Sequence, residues 1–212
     1  MKSIKSKLAA AMAAIFVAGS ASAATIFEDD FNRNNSTRVG NGWSEIERNS
    51  NDVGIVNNQL MLRDSVNGLP DAAASSLVID ATGYENVVVE FTWRSLSSRN
   101  ESSDRLYLSW AESPAPSIRD ENAWTRVFSG GDSYPRTHSE SISLADASDT
   151  LFNIMLWTNV TDNRNGDYEG FMIDSVRVTG DAISPVPLPA GFPLLLGGLA
   201  FFGVARRMRK AA

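Results

Sequence analysis

Residues 24–184 predict an all-β fold, an antiparallel β-sandwich, and three observations carry that prediction. The clearest apolar stretches alternate with a period of two, as strands with one buried and one wet face do. No stretch in this range keeps a helical period beyond about one turn. Gly, Asn, Asp and Pro interrupt the chain at short, regular intervals, which marks many short strands joined by turns.

In order, residues 25–31 form a first strand carrying Glu28-Asp29-Asp30, and the Asn-, Gly- and Ser-rich 32–42 form a loop. A weak strand is expected at 43–48. Strands at 53–56 and 59–62 flank Asn57-Asn58, a tight hairpin turn because Asn tolerates positive φ. Leu69-Pro70-Asp71 breaks the chain before a strand at 75–80. Residues 86–94 give the cleanest alternation, with Val87, Val89, Phe91 and Trp93 on one face. Residues 105–110 repeat it with Leu106, Leu108 and Trp110 inward. Shorter strands follow at 123–128 and 139–144. Residues 151–157 are apolar on both faces and read as a central strand, with Trp157 given inward parity. In 171–178 the parity slips, since Phe171 and Ile173 share one phase and Val176 and Val178 the other. A bulge near Asp174-Ser175 restores a single inward set.

The two ends differ from this body. Lys2, Lys5 and Lys7, an apolar run over 8–19, and the small residues Ala21-Ser22-Ala23 form a secretory signal peptide, so the mature chain is expected to start at Ala24. At the other end stand Val186, Pro187, Leu188, Pro189 and Ala190, a Gly-rich apolar stretch, and the cations Arg206, Arg207, Arg209 and Lys210. Residues 188–205 carry no charge and approach the length of a membrane-spanning helix. The cations after them hold that end in the cytoplasm and place the body across the membrane. The expected organisation is a signal peptide helix at 1–23, an ectodomain at 24–184, and a C-terminal segment with a transmembrane helix at 185–212.

This tail resembles the VPLPA variety of the PEP-CTERM sorting signals of Gram-negative bacteria. The resemblance implies an exosortase-like membrane protease-transpeptidase as partner, after export by the secretion machinery. It also implies transient inner-membrane anchoring with the ectodomain in the periplasm, then transfer to the cell surface or release. A permanently anchored envelope protein is the competing reading. The body, opening on Phe27-Glu28-Asp29-Asp30-Phe31 and closing on 171–178, loosely resembles the concanavalin A-like jelly-roll domains.

Charge and composition narrow the chemistry. The body holds 12 arginines against 25 carboxylates, a balance of −13, and no lysine. Such a surface repels phosphate backbones, so a nucleic-acid partner is not expected. With no cysteine, thiolate chemistry and disulfides are absent, and a core of this size can hold itself together. In jelly rolls the first and last strands often share a structural calcium. Glu28, Asp30 and Asp174 are the residues that would supply three of its oxygen ligands.

The lone histidine, His138, lies in a Ser/Thr-rich stretch, and no Gly-x-Ser-x-Gly elbow occurs. Glu45 and Glu47 have the spacing of paired carboxylates, but the denser acidic motif of jelly-roll glucanases is missing. The body therefore reads as a non-catalytic carbohydrate-binding or structural module, with a polysaccharide-active enzyme as the alternative. Sugar rings stack on aromatic faces while Asn, Asp and Arg fix the hydroxyls. Trp124, Tyr134 and Tyr168 border loops and are the candidate stacking residues, with Arg126, Asp132 and Asn163 as polar partners.

Overall fold

Among the described residues, two six-stranded antiparallel sheets face each other across an apolar core. The structure is a computed structural model, and it describes residues 23–47, 51–64, 72–96, 100–160 and 169–183. The expected signal helix, the proline motif, the membrane helix and the basic tail lie outside the described residues. The strands are β1 (Ala24–Asp29), β2 (Ser44–Glu47), β3 (Val53–Val56), β4 (Gln59–Asp64), β5 (Ala72–Ser75), β6 (Ile79–Asp80), β7 (Tyr84–Ser95), β8 (Arg105–Glu112), β9 (Thr125–Gly130), β10 (His138–Ser143), β11 (Leu151–Asn159) and β12 (Glu169–Ala182). Single turns of 3-10 helix occupy Glu121–Ala123 and Ala145–Ala147.

The first sheet runs β10-β7-β12-β4-β3, with β1 also paired to β12; the second runs β2-β5-β11-β8-β9, with β6 also paired to β11. The chain changes sheet at most of its connections. Each sheet is built on one long strand buried in its middle. β12 pairs with β7 along one edge, and shares its other edge between β4 and β1.

Parity decides the core. Val87, Val89, Phe91 and Trp93 of β7 face Leu106, Leu108 and Trp110 of β8 and Phe152, Ile154 and Leu156 of β11. Aromatic edges meet faces there: Phe91 against Phe128 at 5.1 Å, Trp93 against Phe171 at 5.6 Å, and Trp110 against Phe152 at 6.2 Å. The phase slip of β12 is resolved as expected, by a register shift between Ile173 and Ser175 that leaves Asp174 exposed. Asn57 and Asn58 both take positive φ, 52° and 60°, in the two-residue turn between β3 and β4.

Three expectations need correction. The strand placed at 75–80 is instead Ala72–Ser75 followed by the short β6, with Leu77 and Val78 exposed between them. Alanine is a poor strand former, but here β2 and β11 close in on both sides, and Ala72, Ala73 and Ala74 are fully buried. The strand placed at 123–128 begins only after the 3-10 turn, at Thr125. Trp157 is buried but does not face the other sheet. It pairs with Tyr107 on the outer face of the second sheet, in a separate apolar cluster with Ala73, Trp124 and Met155. β11 is apolar on both faces because both are covered.

Candidate functional site

The residues expected to hold calcium are not drawn together. Glu28 sits opposite Arg177 in the β1–β12 register. Asp30 accepts the Asn32 amide at 3.0 Å, and Asp174 accepts from the Gln59 side chain at 3.2 Å. Among the described residues no three acidic or imidazole side chains converge as a metal ion requires. The middle residue of the acidic triplet is the one put to structural use. Asp29 is buried; its Oδ1 accepts from the Phe31 amide and Arg33 Nη1, both at 2.8 Å. Its Oδ2 accepts from Arg33 Nη2 and Trp43 Nε1, both at 2.9 Å.

The spaced pair Glu45 and Glu47 and the lone His138 are likewise engaged by the fold. Glu45 accepts the Val39 amide, and Glu47 accepts the amides of Asp52 and Val53 at 3.0 and 3.1 Å, so this spaced pair ties down loops. His138 stacks on Trp93 at 4.5 Å, and its Nε2 lies 2.9 Å from Asp132 Oδ2. Ser95 is fully buried and donates to the main-chain carbonyl of Asp132 rather than to the imidazole, so Ser95, His138 and Asp132 do not form a nucleophilic triad. Hydrogen bonds from the Tyr134 amide and from His138 hold the Asp132 carboxyl below its ordinary value of 3.8. Asp80 is lowered in the same way by the hydroxyl and amide of Thr82.

A different arrangement lies on the outer face of the second sheet. β8 and β11 bring Tyr107 and Trp157 directly opposite each other, and their rings stack with centroids 4.1 Å apart and planes 28° from parallel. The Trp157 indole donates to the buried Ser109 hydroxyl at 3.0 Å, which fixes the ring. The chain entering β9 through its 3-10 turn lays Trp124 into the same cluster, where its indole donates to the Ser117 carbonyl at 3.2 Å. From β9, Arg126 reaches back over Tyr107 with its guanidinium carbon 4.9 Å from the ring centre. Together with Glu121, Asn122 and Asn159, these residues line an open cleft of about 250 Å³.

The polar groups of this cleft are largely unused by the protein. Among the described residues, the Tyr107 hydroxyl, the Arg126 guanidinium and the Asn159 side-chain amide form no hydrogen bond to the protein. Glu121 accepts from the neighbouring Asn122 side chain at 3.1 Å. A rigid aromatic base beside polar groups free to bind water or hydroxyls is the composition of a saccharide site.

The sequence identified part of this cleft. Trp124 lines it, although as a buried wall rather than an exposed platform, and Arg126 is the polar partner expected beside it. Tyr134 is exposed and stands elsewhere, stacked with Arg136 at 5.2 Å. Tyr168 and Asn163 lie outside the described residues. Tyr107 is not among the expected stacking residues, and the inward parity expected of Trp157 sets that ring apart from them, whereas the two pair on the outer face. The signal available was Tyr107 itself, a large ring on the opposite parity from Leu106 and Leu108.

No family model matches the chain, and no curated protein gives a significant match. Among solved structures, it is similar to the K3 cleaved adhesin domain of Lys-gingipain from Porphyromonas gingivalis. That likeness has 11% identity and a TM-score of 0.49, and covers 74% of this chain and 100% of that one. A family 29 carbohydrate-binding module matches at 14% identity with a TM-score of 0.44, covering 78% of this chain and 93% of that one. A family GH16 endo-β-1,3(4)-glucanase matches at 8% identity with a TM-score of 0.48, covering 75% and 95%. Likenesses this distant do not set the function of the chain.

Proposed function

We propose that the β-sandwich is a non-catalytic polysaccharide-binding module whose site is the Tyr107–Trp157 cleft. The observation that carries this reading is the coincidence, in one open cleft, of a fixed aromatic pair with the Tyr107 hydroxyl, the Arg126 guanidinium and the Asn159 amide, which make no hydrogen bond among the described residues. Groups of this kind bond to water in a free protein, and sugar hydroxyls replace water at little cost when the geometry fits. Among the described residues Glu121 is the one acidic side chain lining the cleft, and no facing pair of carboxylates of the kind a glycosidase needs is formed by them there.

The sequence supports an exported role around this module. The signal peptide pattern and the VPLPA-type tail favour delivery through the secretion machinery and recognition by an exosortase-like partner, ending at the cell surface or in the extracellular matrix. The test of the binding reading is retention of the full-length protein on a panel of immobilised polysaccharides, beside Arg126→Ala/Asn159→Ala. The reading requires retention by at least one polymer and its loss in the double variant. Retention unchanged by the two substitutions would move the site elsewhere.

A further inference from the structure

We infer that the cleft selects a polysaccharide carrying isolated carboxylate sugars, uronates separated by neutral residues, and that Arg126 is the residue that reads the carboxylate. This rests on the polysaccharide-binding reading. Arg126 is the one cation lining the cleft among the described residues, and its guanidinium has no anionic partner there. Several other arginines of the body are engaged within the fold. Arg33 is paired with Asp29 and Arg38 with Glu45, while Arg94 and Arg177 donate to Gln59 and to Thr25.

The Tyr107 ring holds the guanidinium by its π-face, which leaves the planar fork of N–H donors available at its edge. A carboxylate is the group that matches such a fork with two parallel hydrogen bonds. Neutral sugars on either side of the uronate would meet the Tyr107 hydroxyl and the Asn159 amide.

Charge sets the spacing. Glu121 lines the same cleft, and carboxylates outnumber arginines about two to one over the body. One carboxylate can be met by Arg126, but a continuous run of them is opposed by Glu121 and by the field of the whole domain. A sparsely acidic heteropolymer therefore fits, and a polyuronate does not.

The experiment titrates the full-length protein with glucuronoxylan, with the same polymer after its carboxyl groups are reduced to alcohols, and with polygalacturonate. Arg126→Gln and Arg126→Lys are measured beside the parent. Carboxyl reduction and Arg126→Gln are each expected to weaken binding by about tenfold. Because both remove the same contact, combining them should weaken it no further. Arg126→Lys keeps the charge but loses the fork, and recovers only part of the affinity. Equal binding of the native and reduced polymers by the parent would overturn the uronate assignment while leaving the polysaccharide reading intact. Tighter binding of polygalacturonate than of glucuronoxylan would overturn the isolated-acid requirement. If none of the three polymers binds, and the wider panel is silent too, both readings fall.

Discussion

Asp29 shows how much of this fold one carboxylate can organise. Four donors converge on it from a turn amide, an arginine and a tryptophan, filling the acceptor capacity of its two oxygens. Asp29→Ala strands the Trp43 indole N–H and the Arg33 guanidinium next to the core. We expect a loss of about 3 kcal/mol in a urea unfolding series. A change below about 1 kcal/mol would mean that water replaces the carboxylate at no great cost.

The acidic triplet was visible in the sequence, but the role of its middle member was not. Its partners, Arg33 and Trp43, come from a loop and its far end, and no period in the sequence links them. A second carboxylate predicts a pH dependence. Asp132 titrates below 3.8 in the folded protein, so the folded state binds fewer protons than the unfolded chain just below that value. Its contribution is therefore complete above the ordinary carboxylate value and is lost as the pH falls through the lowered one. Melting midpoints followed downward from pH 5 should fall less for Asp132→Asn than for the parent. Parallel curves would remove this carboxylate from the account.

At the scale of elements, the sequence was informative wherever one face was buried and the other wet. β7 was legible for that reason, the turn at Asn57-Asn58 because Asn tolerates positive φ, and the bulge in β12 because a parity slip inside a strand has few other resolutions. Legibility failed where both faces were covered. β5 is three fully buried alanines and a buried serine, which carry no alternation to read, and the apolar outer face of β11 looked like part of the core.

The start of β12 is fixed by backbone contact, which the sequence shows only as a glycine. Gly170 has a φ of 151°, and an added Cβ would collide with the Leu62 carbonyl oxygen on β4. Asn100 clamps the same residue, donating to its carbonyl at 2.8 Å and accepting from its amide at 3.3 Å. Gly170→Ala should cost about 1–3 kcal/mol through backbone strain and separation of β12 from β4. Asn100→Ala should cost about 1–2 kcal/mol by leaving buried groups unpaired. If both variants melt with the parent, this junction is not a point of stress.

For the whole molecule, the register places the two ends of the body side by side. Ala24 pairs with Gly180, and Ala182 with Tyr84, at one pole of the sandwich. Tyr107 and Trp157 lie toward the opposite pole, near the start of β8 and the end of β11. A domain held by its C-terminal tail would thus present the cleft away from the membrane. Mass spectrometry of the protein from its native host should give a chain that begins at Ala24 and lacks Arg206–Lys210. An intact basic tail would replace sorting with permanent anchoring.

The claim on which the rest depends is that the Tyr107–Trp157 cleft binds a glycan. The direct measurement is calorimetric titration of the best-retained polysaccharide into the parent and into Arg126→Ala/Asn159→Ala. Neither side chain is needed for the core, so the variant should melt with the parent. The account predicts saturable binding by the parent and a loss of about a hundredfold in the folded variant. Undiminished binding by that variant would contradict it.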